Sequence, residues 1–77
     1  MRASSMSPRS VSILDAAGQA VTRGELDVVL RRLRVEHSIE SGLYVAKFDD
    51  GSRWHVALTA TERVNEYTVS SLEPPPG

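Results

Sequence analysis

The chain has 77 residues, with 9 basic and 10 acidic side chains and no cysteine. Those numbers allow one domain without a disulfide framework. The formal net charge of −1 lacks the clear basic excess of a dedicated nucleic-acid binder, and no run of about 18 apolar residues is present to form a membrane-spanning helix.

Met1 to Ser10 (MRASSMSPRS) is serine-rich and has no apolar periodicity. It reads as a flexible N-terminal arm over residues 1–10. Arg2 and Arg9 enclose no apolar segment of the kind a secretory signal needs, so the expected location is cytoplasmic. Val11 to Asp15 (VSILD) is a short strand candidate. Ala16 to Gln19 follows as a turn in which Gly18 can take positive φ, and Ala20-Val21 briefly return as strand.

Thr22-Arg23-Gly24-Glu25 fits a capping box, with Thr22 as N-cap and Glu25 reaching back to the Thr22 amide. Leu26, Val29, Leu30 and Leu33 then follow the i, i+3, i+4, i+7 spacing of a helix with one apolar stripe. The spacing predicts a helix from Thr22 to about Arg34 or Glu36, with Arg31, Arg32 and Arg34 near its C-terminal end, where cations complement the dipole. On that helix Val28 and Val35 fall on the far side beside Arg31 and Arg32, as a secondary patch for a partner or a nucleic acid.

His37 to Gly42 reads as a connector. Leu43 to Leu58 is the strongest local signal in the chain, because Asp50-Gly51 separates two alternating runs and marks a β-hairpin. A two-residue loop would pair Asp49 with Ser52, Lys47 with Trp54 and Val45 with Val56. Alternation then sorts Leu43, Val45, Trp54, Val56 and Leu58 onto the core face. Tyr44, Phe48, Arg53 and His55 share the opposite face. Aromatic and arginine side chains are enriched at interface hot spots, so these four are the candidate partner-binding residues. Arg63 to Ser70 reads as a last strand, and Glu73 to Gly77 (EPPPG) as a proline-rich tail. No internal repeat is visible.

The expected fold is therefore α+β, one helix packed on an antiparallel sheet of three to four strands in the order β-α-β-β-β. The expected organisation is a single domain over 11–72, with an arm over 1–10 and a tail over 73–77.

The chemistry-bearing residues form no recognisable catalytic site. His55 and Ser52 lie close in sequence, but strand alternation does not bring them together as a nucleophile–base pair. His37 and Glu40 supply two metal ligands where zinc needs three or four. Asp49-Asp50-Gly51 lacks the spaced oxygens of a calcium loop. No catalytic, metal or cofactor site is expected. A folding unit of about 60 residues is marginal alone, and a partner or second subunit is one remedy. The expected function is a non-enzymatic protein-binding module of the accessory-subunit or mobile-element and phage inhibitor type. It would self-associate through its sheet, as a homodimer, with no membrane partner.

One resemblance supplies the alternative. Ser12 to Leu26 (SILDAAGQAVTRGEL) resembles the opening of a winged-helix domain, where a first helix leads through a V-T-R-x-E-L entry into a second and a hairpin wing follows. The resemblance implies a nucleic-acid-binding regulator that sets Arg23, Arg31, Arg32 and Arg34 against phosphates. Such domains read DNA with a third helix. Here only His37 to Gly42, without a basic residue, stands between the predicted helix and the hairpin.

Overall fold

A computed structural model of the chain describes residues 9–74. It contains six strands: β1 Arg9–Leu14, β2 Ala20–Asp27, β3 Arg32–Val35, β4 Gly42–Phe48, β5 Arg53–Ala60 and β6 Glu66–Glu73. They close into a barrel in the order β1-β2-β3-β6-β5-β4, with every neighbouring pair antiparallel. The α+β expectation is thus corrected to an all-β barrel, and no helix occurs among the described residues. None, therefore, is long and apolar enough to cross a membrane.

The expected helix is a hairpin, β2–β3. Leu26 and Leu33 are both buried, but as cross-strand partners in register rather than as two turns of one helix stripe. Val29 and Leu30, the middle of that stripe, lie on the connecting loop at 63% and 61% exposure. Several local signals agree with the hairpin. The Asp27 carboxylate accepts the Leu30 amide at 2.9 Å, which shapes the turn. Arg31 takes φ of 55° and directs the chain into β3. Val28 and Val29 are β-branched and weak helix formers. Thr22 caps nothing; it is buried, and its hydroxyl accepts the His37 amide at 3.1 Å.

Gly24 is required by the close approach of β3 to β2. A Cβ at this position would lie 1.9 Å from the Arg34 carbonyl oxygen. Glycine here lets two backbones approach more closely than any side chain permits.

The two halves of the barrel follow one plan. Gly18 and Gly51 end three-residue turns closed by Asp15 with Gln19 and by Phe48 with Ser52, each with positive φ (86° and 91°). Arg31 ends the four residues between Asp27 and Arg32, and Asn65 ends the four between Thr61 and Glu66, also with positive φ (55° and 60°). Exchanging β1-β2-β3 for β4-β5-β6 leaves the strand order unchanged. Backbone geometry therefore repeats where the residues do not.

Alternate residues point inward along every strand. Ile13, Leu26, Leu33 and Val69 fill the centre, joined by Val11, Ala46, Phe48, Val56, Leu58 and Tyr67. At one mouth Phe48 meets Trp54 edge to face, with ring centroids 6.5 Å apart, and the Arg9 guanidinium lies 4.7 Å from the Phe48 centroid. At the other mouth the β3–β4 crossover is tied down. The Tyr67 hydroxyl bonds both backbone groups of Ile39, and Asn65 donates to the Glu36 carbonyl at 3.2 Å. β1 begins at Arg9 and β6 runs to Glu73, so both enter stretches read as arm and tail. The rest of the expected arm, residues 1–8, and residues 75–77 lie outside the described residues.

Candidate functional site

The β4–β5 hairpin decides what the surface presents. Its loop has three residues, 49–51: the Gly51 amide bonds the Phe48 carbonyl at 3.0 Å, and the Phe48 amide bonds the Ser52 carbonyl at 2.8 Å. This is the type I turn followed by a left-handed glycine that three-residue hairpin loops favour. Lys47 therefore pairs with Arg53, Ala46 with Trp54 and Val45 with His55. The pairing is one residue away from that of a two-residue loop, and a one-residue slip exchanges the faces of a strand.

The four expected partner-binding residues consequently separate. Phe48 is a core residue at 5% exposure. Tyr44 also faces inward, half-buried, and its hydroxyl donates to the Glu40 carbonyl at 2.7 Å. Burial, then the nearby Glu40 charge, raises the Tyr44 pKa above its ordinary value. Arg53 and His55 are exposed on the outer wall. The secondary patch also divides. Val35 is buried at 8% exposure, while Val28 lies on the β2–β3 loop at 42%. The Arg31 carbonyl accepts the Val69 amide at 2.9 Å, and Arg32 pairs with Glu66 at 3.3 Å.

The outer wall instead carries side chains that the sequence reading assigned to the core or left without a role. Leu43 is opposite Ala57, Val45 is opposite His55 on one side and Leu14 on the other, and Leu14 is opposite Ala20. The register shift between Ile13 and Leu14 leaves Val21 as an extra residue of β2 beside Leu14. Leu43 and Val21 are exposed at 81% and 38%, and Leu14, Val45 and Ala57 are half-buried. These residues form one apolar band across β5, β4, β1 and β2. The only sequence signal for it was Asp49-Asp50-Gly51, which fits a three-residue loop as well as a two-residue one.

One step toward the Arg9 end of the wall, the register sets Arg53 opposite Lys47, Lys47 opposite Ser12 and Ser12 opposite Arg23. A basic row thus borders the band on the same four strands. Below the row the wall sinks into a hollow of about 800 Å³, floored by Ser10, Ser12 and Gly24 and rimmed by Arg23, Arg34, Lys47, Glu25, Glu36 and Asp49. Small residues at its centre and long ones around it make a convex barrel locally concave.

No family model, curated protein or solved structure matches this chain. Among the described residues no group of three or more histidine or acidic side chains is placed to hold a metal ion.

Proposed function

We propose that this protein is a non-enzymatic protein-binding module that docks its partner on the outer wall formed by β5, β4, β1 and β2. The observation that supports this reading is the apolar band Ala57–Leu43–Val45–Leu14–Val21 with its polar border of His55, Arg53, Lys47 and Arg23. Scattered exposed aliphatic residues are ordinary on any protein. A contiguous apolar strip rimmed by polar groups marks an interaction surface and has the layout of interfaces, apolar at the centre and charged at the edge. These side chains lie outside the buried cluster around Ile13, Leu26, Leu33 and Val69.

The test is capture of proteins from a native extract by the immobilised full chain, compared with two double variants. Leu43→Ser with Val45→Ser alters the band, and Val28→Ser with Leu30→Ser alters the β2–β3 loop at one end of the barrel. Both pairs lie outside the buried core, so both variants should stay folded, the band variant losing about 1 kcal/mol for serine in place of the half-buried strand residue Val45. The partner should be retained by wild type and the loop variant and lost by the band variant. Equal capture by the band variant would reject the wall as the docking surface.

A further inference from the structure

A row of basic side chains, Arg53, Lys47 and Arg23, borders the apolar band. Lys47 stands directly opposite Arg53, and like charges in that position lower the stability of a sheet. Ion pairs among the described residues engage Arg9, Arg32 and Arg63, and none engages Arg23, Lys47 or Arg53. The protein thus keeps three cations outside any ion pair in one row along the edge of its apolar band. Folding alone gives no reason for setting Lys47 against Arg53.

Resting on the docking surface proposed above, we infer that the partner is a different protein that lays an apolar segment on Leu14, Leu43 and Val45 and sets carboxylates on Arg53, Lys47 and Arg23. A second copy of this chain fits poorly. Packing two walls about a two-fold axis through the band would lay each basic row on neutral Leu43 and Ala57 or on the other basic row, according to the direction of the axis, and would desolvate the cations without counter-charges. A continuous polyphosphate or an anionic lipid surface also fits poorly. Glu25, Glu36 and Asp49 rim the hollow immediately beside the row, and a phosphate strand or bilayer plane covering the row would press negative charge against them. Separate carboxylates on a protein can meet the row and avoid the rim. Arg53 and Arg23 lie three strand spacings apart, roughly 14 Å at about 4.8 Å each. Four residues of extended chain span the same distance, so two acidic residues at i and i+4 of an extended segment reach both ends of the row.

The experiment is a random-peptide display selection on the immobilised full chain, followed by affinity measurement with the enriched peptides made synthetically. The expected peptides combine aliphatic or aromatic residues with Asp or Glu. Their affinity should fall about tenfold or more in Lys47→Glu with Arg53→Glu, and by a similar factor in Leu43→Ser with Val45→Ser. Raising salt should weaken them mainly through slower association. Both double variants should remain folded, with cooperative melting curves. Enriched peptides that need Leu43 and Val45 but carry no acids, or that bind the charge-reversed variant equally well, would overturn the acidic partner and leave the docking wall standing. Peptides indifferent to both variants, or no enrichment at all, would overturn the wall itself. A single-stranded oligonucleotide or vesicles of anionic lipid binding more tightly than every peptide would overturn a protein as the occupant.

Discussion

The Tyr67 hydroxyl accepts the Ile39 amide at 2.6 Å and donates to the Ile39 carbonyl, so one side chain satisfies both backbone groups of a single crossover residue. Tyr67 is itself buried at 3% exposure in β6, and Ile39 packs half-buried against the core. The β3–β4 connector, which has no ladder of its own to pair with, is thereby anchored over one mouth of the barrel. Tyr67→Phe keeps the ring and leaves two polar groups unpaired. It should lower stability by about 1–3 kcal/mol, read as a reduced urea midpoint with an unchanged m-value. An unchanged midpoint would mean that water replaces the hydroxyl.

Leu33 and Leu30 separate the barrel from a helical alternative. Leu33 is buried at 1% exposure, and Leu30 is 61% exposed on the β2–β3 loop. Leu33→Ala should cost about 2–5 kcal/mol. Leu30→Ala should stay within about 0.5 kcal/mol of wild type. A helix would have penalised both, so paired thermal melts distinguish the two folds directly.

Phe48 and Leu43 reverse their expected roles in the same way. Phe48→Ala removes a core ring that touches Trp54 and lies under Arg9, and should cost about 3–5 kcal/mol. Leu43→Ser removes a side chain at 81% exposure and should leave the melting curve nearly unchanged while weakening partner capture. Loss of folding in Leu43→Ser would place that side chain inside the barrel.

Gly24 admits no side chain, because the nearest obstacle is backbone rather than a movable side-chain tip. Gly24→Ala should cost at least the upper end of the roughly 1–3 kcal/mol range for overpacking. At Gly51 the space is open and only the positive φ of 91° resists a side chain, so Gly51→Asn should be tolerated better than Gly51→Val. Chemical denaturation of the three variants would rank them.

Asp50 predicts an acid response of the β4–β5 hairpin. The Ser52 hydroxyl and amide donate to Oδ1 of Asp50 at 2.6 and 2.9 Å, and Arg9 lies 3.5 Å from its other oxygen. The Ser52 bonds first, and Arg9 after them, hold the carboxyl below its ordinary value. A depressed folded-state pKa stabilises the protein above the unfolded value of about 3.9 and is lost as pH falls through the folded one. Below pH about 4 the wild type should therefore lose stability more steeply than Asp50→Asn, as shown by melting temperatures across an acid series. Parallel curves would show that the hairpin does not sense this carboxyl.

Local patterns in the sequence were enough to place the hairpin around Gly51, the turn at Gly18 and the last strand, and to assign Leu26, Leu33, Val56 and Leu58 to a core. The tertiary structure decided two things that no local pattern could. An apolar spacing of seven residues suits two turns of a helix, and it also suits Leu26 and Leu33 facing each other across a four-residue loop. Only closure of six strands into a barrel, which pairs β1 with β4 and β3 with β6 over long separations, makes the second arrangement bury more. The face of β4 was likewise open, because the loop after it could hold two residues or three, and that single residue interchanges Leu43 and Val45 with Tyr44 and Phe48. Hairpin register is set by turn geometry and by which face finds a partner layer. Here the layer was the far side of the same barrel, which no stretch of sequence shorter than the whole chain could supply.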